Sequence, residues 1–233
     1  MPTASYQARR GELHAYFDRT ALRAWERLTS DAPVSGIRAM VRAGRDAMRA
    51  TLLSWLPADM RGLRLLDAGC GTGALAVEAA KRGAQVVAID IAPGLIEIAR
   101  QRSGTIQGPG HIEFLAGDMF DPALGRFDHI VAMDSLIHYR PEDTVRVLAG
   151  LAARTEGSLA FTFAPRTPLL SAMHAAGRFF PRGDRAPAIV PVGDAALRRR
   201  IEQERGLAHF AIGRGRRIAS GFYTSHAMEL ARR

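Results

Sequence analysis

LLDAGCGTGALAVEAAKRGAQVVAID, residues 65–90, holds an apolar run, a turn with three glycines, a helical stretch and a second apolar run ending on an acid. That order describes strand, turn, helix and strand, the unit from which parallel sheets are built. In the turn DAGCGTG (67–73), glycines permit a tight reversal and let a ligand approach the backbone N–H groups at the helix N-terminus. Asp90 closes the second strand, where a carboxylate can accept both hydrogens of a ribose diol. The unit reads as a nucleoside-cofactor site. It does not identify the cofactor, because Gly69-x-Gly71-x-x-Ala74 also fits a dinucleotide turn.

The same alternation continues outward. Apolar runs at 63–67, 85–90, 111–115, 127–133 and 158–163 predict strands, with helical patterns at 73–82, 93–102 and 141–153 between them. This predicts an α/β fold with a mostly parallel sheet and helices on both faces. Residues 207–212 and 216–224, separated by Gly213-Arg-Gly215, read as a closing hairpin. Ahead of the sheet, apolar stripes over 9–29 and 36–56 predict two helices, the second ending at Pro57. The expected organisation is an N-terminal helical extension or lid over 1–60 and a sheet domain over 61–233. Within the latter, the proline- and arginine-containing segment 164–192 breaks the rhythm, and an irregular insertion of that length predicts a functional loop.

Composition narrows the class. The hydrophobic fraction of 47% and charged fraction of 24% are those of an ordinary globular protein. No stretch approaches the length of a membrane span. Residues 1–17 contain no apolar core of a secretory signal. Cys70 is the single cysteine, so no intrachain disulfide can form and a reducing cytoplasm is the expected setting. The net charge of +9 is concentrated at the ends, with 9 basic against 5 acidic residues over 1–50 and 9 against 3 over 198–233. Such ends suit an anionic membrane, a nucleic acid or simply a solvated arginine face.

Three features turn the glycine unit toward S-adenosylmethionine. An acid, Asp67, stands two residues before the first glycine, so DAGCGTG resembles motif I of class I methyltransferases. Gly117-Asp118-Met119 resembles their acidic adenine position, and FDHIVAMDSLIHY (127–139) resembles the strand that faces the transferred methyl group. The resemblance implies a Rossmann-like, seven-stranded, mostly parallel sheet with a C-terminal antiparallel hairpin. The implied cofactor contacts are Asp67, Gly69, Cys70, Gly71, Gly73, Asp90, Ile91, Asp118, Met119 and Met133. Arg42, in the helix before the sheet, is read as pairing with the methionine carboxylate, as pairing with a substrate propionate or as a surface arginine. Asp67 and the turn would face the amino-acid half. Cys70 also reads as a small packing residue.

The acceptor is addressed by other stretches. Where amino-methylating nucleic-acid enzymes carry a proline-proline-aromatic string, this chain has Asp134-Ser-Leu-Ile-His138-Tyr139, which speaks against a nucleic-acid substrate. HAYFDRTALRAWER (14–27), IRAMVRAGRD (37–46), VAMDSLIHY (131–139) and FFPRGDRAPAIVP (179–191), with LLDAGCGTG (65–73), together resemble the magnesium-protoporphyrin O-methyltransferase family of bacteriochlorophyll synthesis. That resemblance implies methyl transfer to one propionate of Mg-protoporphyrin IX, with His138 and Tyr16 as the functional side chains beside the carboxylate. The magnesium would be carried by the substrate, and no histidine spacing suggests a metal held by the protein.

The residue chemistry agrees with such an acceptor. A flat apolar ring with acidic tails asks for apolar walls and arginine donors. Phe179, Phe180, Arg182, Arg185, Ile189 and Val190 supply both in the irregular segment. A magnesium-chelatase subunit and a photosynthetic membrane are further expected contacts. An RNA methyltransferase, another small-molecule methyltransferase, a non-catalytic tetrapyrrole carrier and an NAD(P)-binding protein are the alternatives left open.

Overall fold

The structure is a computed structural model that describes residues 3–20, 36–104, 108–166 and 188–233. Helix α1 (Ala4–Ala15) starts at Thr3, whose side chain accepts the Tyr6 amide hydrogen, and runs into a π-helical turn (Tyr16–Thr20). Helix α2 (Ile37–Trp55) precedes the sheet. Then follow β1 (Arg64–Ala68), α3 (Ala74–Lys81), β2 (Gln85–Asp90), α4 (Pro93–Ser103), β3 (His111–Ala116) and β4 (Phe127–Ala132). Helix α5 (Pro141–Ala152), β5 (Thr155–Phe163), α6 (Asp194–Gln203), β6 (Phe210–Ser220) and β7 (Tyr223–Arg232) complete the chain. Pro93 and Pro141 each sit in the first turn of a helix, where a missing N–H removes no bond.

The strands form one seven-stranded sheet in the order β3-β2-β1-β4-β5-β7-β6. All neighbours are parallel except β5–β7 and β6–β7. This is the sheet expected from the class I resemblance. Successive residues of a strand point to opposite faces, and the sequence supplies apolar groups for both. Leu66, Ile130 and Leu159 enter one core, with α5, α6 and the Tyr6 and Leu13 side chains of α1. Leu65, Val131 and Ala160 enter the other, under α2, α3 and α4. The two N-terminal helices thus contribute side chains to the two cores that flank the sheet.

Two features differ from the sequence reading. Gly213-Arg214-Gly215 is no turn: β6 passes through it with a register shift between Ile212 and Gly215. There Arg214 reaches back to Glu229 on β7, at 2.7 Å from Nε to Oε2. The chain reverses instead after Ser220, where Gly221 takes a φ of 56°. The last strand, β7, therefore lies beyond the expected hairpin. Helix α6 has no apolar stripe to announce it, because its sequence, DAALRRRIEQ, buries only Leu197 and Ile201.

Candidate active site

Strand order reverses between β2-β1 and β4-β5, and the crevice at that switch point is where open α/β sheets bind ligands. A cavity of 310 Å³ occupies it. Its floor is the turn after β1. Gly69 and Gly73 have φ values of 83° and 78°, in the left-handed region that favours glycine. A Cβ on Gly73 would stand 2.8 Å from the Phe114 ring, so this glycine also lets the turn pack against β3.

Two carboxylates, Asp67 buried and Asp90 half-buried, face this cavity. Asp90 Oδ2 accepts the Gly71 amide hydrogen at 2.9 Å and Oδ1 accepts that of Ala92 at 3.0 Å, fixing the turn to the end of β2. Burial pushes its pKa up. Asp67 is 2% exposed and its Oδ2 has no hydrogen-bond partner among the described residues. Burial, with the Asp90 carboxylate nearby, raises its pKa to about 7. An enclosed carboxylate with one oxygen left without a partner suits a cationic ligand group. Cys70 lines the same wall, and burial holds its thiol well above the usual range, which makes it unreactive.

Of the other expected cofactor residues, Gly69, Gly71, Ile91, Met119, Met133 and Arg42 line the cavity with Asp67, Cys70 and Asp90. Asp118 is turned elsewhere. Its carboxylate accepts hydrogen bonds from the Phe120 amide at 3.0 Å and the Tyr6 hydroxyl at 3.2 Å, and pairs with Arg10 at 3.4 Å. Its neighbours Gly117 and Met119 line the cavity in its place.

On the acceptor side, His138 is 9% exposed and lines the cavity, with Nδ1 3.4 Å from the Ala188 carbonyl and its ring 6.0 Å from that of Phe17. Val190 donates its amide hydrogen to the Ile137 carbonyl at 2.8 Å, which lays half-buried Ile189 and Val190 beside the His138 loop. Tyr16 stands behind Phe17, edge to face at 5.2 Å, and Phe17 rather than Tyr16 lines the cavity. Phe179, Phe180, Arg182 and Arg185 lie outside the described residues.

Several lining residues went unread in the sequence. Arg45 and Arg49 line the cavity with Arg42, at helical three- and four-residue spacing along α2. That spacing was visible, but an arginine stripe reads equally as a solvated face. Asp134 and Ser135 lie inside the VAMDSLIHY string that carries the family resemblance, but nothing in that string singles out their side chains as cavity-lining. Among the described residues no group of three or more His, Cys, Asp or Glu side chains gathers as a metal site.

Residues 132–232 match the family described as magnesium-protoporphyrin IX methyltransferase C-terminus, and residues 65–156 match a general methyltransferase domain. The chain is 48% identical over 230 residues to the magnesium-protoporphyrin O-methyltransferase of Rhodobacter capsulatus, covering 98% of this chain and 99% of the relative. It is 29% identical to the Synechocystis enzyme of the same name, over 93% of this chain and 94% of that one. The crystal structure of magnesium protoporphyrin IX methyltransferase from Synechocystis PCC 6803 with bound SAH superposes with a TM-score of 0.83 at 27% identity, covering 96% of this chain and 99% of the other.

Proposed function

The chain belongs to the magnesium-protoporphyrin O-methyltransferase family, and from that premise we infer that it methylates a propionate carboxylate of Mg-protoporphyrin IX to the monomethyl ester. One observation carries the reading to the site. The cavity over the DAGCGTG turn is bounded on its far side by Met133 and His138, inside the stretch that matches the family.

The residues present fit S-adenosylmethionine. Asp67 with its unpartnered oxygen would hold the amino-acid end, Asp90 the ribose, and Ile91 and Met119 would flank the adenine. When bound, the cofactor supplies an electrophilic methyl group. A propionate has a pKa of about 4.5, so the nucleophile arrives ionised at neutral pH and needs no strong base. The chain's contribution is alignment and exclusion of water. Phe17 and Leu13 cover the cavity from α1 and the turn that follows it. We assign His138, which lines the cavity, to orienting the acceptor carboxylate. Tyr16, which packs edge to face on Phe17 and does not itself line the cavity, is assigned to the same task on the strength of the family resemblance. Incubating the protein with S-adenosylmethionine and Mg-protoporphyrin IX should yield a porphyrin heavier by one methyl group. His138→Ala and Tyr16→Phe should each lower turnover at least tenfold while leaving S-adenosylhomocysteine affinity nearly unchanged. Wild-type turnover in both would remove their assigned roles.

A second reading concerns where the enzyme works. Among the described residues no helix is long and apolar enough to cross a membrane. Exposed Ile37 and Met40 lie a turn apart on α2, and the β6–β7 turn meets Met40, with the Ser220 hydroxyl donating to its carbonyl at 3.2 Å; exposed Phe222 belongs to that turn. Apolar tips among arginine-rich ends suit the surface of an anionic bilayer. Sedimentation with anionic vesicles should capture the protein at low salt and release it at high salt. No capture at low salt would leave the basic ends to a protein such as a magnesium-chelatase subunit.

A further inference from the structure

Asp134 has a φ of 52°, the one non-glycine residue with a positive φ among those described. A side chain in that region is unfavourable and persists where its surroundings hold it. Here three elements do so. Arg45 on α2 donates to Oδ2 at 2.8 Å, Thr162 on β5 donates to Oδ1 at 3.2 Å, and Ser225 on β7 donates to Oδ1 at 3.3 Å. Tyr223 donates at 3.2 Å, and the Asp134 amide in turn donates to the Thr162 hydroxyl at 2.7 Å.

The consequence falls on the next residue. Ser135 is pressed against Gly69 so closely that a Cβ there would stand 2.3 Å from the serine Cβ and 3.1 Å from its Oγ. Ser135 lines the cavity, and its Oγ is buried without a hydrogen-bond partner among the described residues. Of the cavity-lining residues, only Asp67 shares that property, and it lies two positions before Gly69. A buried polar atom left without a partner is unfavourable, and that penalty is removed when a ligand supplies the partner.

We propose that Ser135 is a binding residue for the amino-acid end of the cofactor, and that Asp134 is the positioning residue that aims it. The hydroxyl and the Asp67 carboxylate flank the same glycine, and together they offer a donor and acceptors to an ammonium–carboxylate pair. The proposal rests on the S-adenosylmethionine reading of this cavity and deepens it. Its test needs no porphyrin, so it stands or fails apart from the acceptor assignment.

The probes are S-adenosylhomocysteine and 5′-methylthioadenosine, which keeps the nucleoside and lacks the amino-acid end. Calorimetry on Ser135→Ala should show S-adenosylhomocysteine binding weakened about five- to tenfold, with 5′-methylthioadenosine unchanged within twofold. Asp134→Asn, which keeps the shape of the side chain, should show the same selective loss, and the double variant should lose no more than the larger single loss. Unchanged S-adenosylhomocysteine affinity in Ser135→Ala, or equal loss for both ligands, would overturn the binding role. Losses that simply add in the double variant would overturn the positioning role.

Discussion

Asp67 carries the clearest pH signature in the molecule. Burial first, and the Asp90 carboxylate second, raise its pKa from 3.8 to about 7. A carboxyl whose folded pKa lies above its unfolded value takes up a proton on folding between the two. The ligand-free protein therefore loses stability from this group as pH rises from about 4 through 7. With Asp67 proposed to meet the cationic end of the cofactor, which favours the carboxylate, binding should release that proton and tighten as pH rises. S-adenosylhomocysteine affinity should increase up to about tenfold per pH unit below 7 and level off above it. Titration calorimetry in buffers of different ionisation enthalpy would count the proton, and Asp67→Asn should flatten the profile. Gly69 lies two residues away and answers to geometry alone. Its φ of 83° and the Ser135 Cβ at 2.3 Å predict that Gly69→Ala destabilises the fold by at least about 2 kcal/mol, measurable by urea unfolding. The glycine pattern was legible in the sequence, whereas the serine it accommodates was not, because Ser135 reaches it from the loop after β4.

At the scale of elements, α1 is held by side chains rather than by a wide apolar face. Thr3 donates to Asp143 at 2.6 Å and Ser5 at 2.8 Å, Tyr6 stacks on Tyr139 at 4.9 Å, and Arg9 donates to the His138 carbonyl at 2.9 Å. The following π-turn is tied by Asp18, which accepts the Gly94 amide hydrogen at 3.2 Å at the start of α4. Burial raises the Tyr6 hydroxyl pKa well above its ordinary value, so it remains a donor across the working pH range. Asp143→Ala, which removes the shared acceptor, should speed hydrogen exchange over residues 4–15 while leaving β5 protected. The expected cost is about 1–3 kcal/mol, confined to the docking of α1. The five parallel strands could be read because each carries an apolar run bounded by polar or glycine residues. The closing hairpin was displaced because a glycine pair marks both bulges and turns, and only the pairing of Arg214 with Glu229 distinguishes them. Helix α6 hides for another reason: arginines dominate a helix that needs just two apolar anchors.

For the whole molecule, the cavity ties together elements from 13 to 139 in the chain, so filling it should stabilise the fold as a unit. S-adenosylhomocysteine at about a hundred times its dissociation constant adds about 2.7 kcal/mol, a rise of about 5–10 °C in Tm for a domain of this size. Scanning calorimetry at pH 8 tests this, and an unshifted Tm would contradict a nucleoside cavity at this place. The sequence by itself determined the strand–helix alternation, the glycine turn and the family resemblance, since these are encoded in local periodicity and in short strings whose chemistry is fixed by residue type. What only the tertiary structure decided is which side chains share the cavity. Asp118 turns to Tyr6, Phe17 stands in front of Tyr16, and Asp134 gathers Arg45, Thr162, Tyr223 and Ser225 from three elements. Such assignments depend on buried polar groups finding partners far away in sequence, and no local pattern records which partner each group finds.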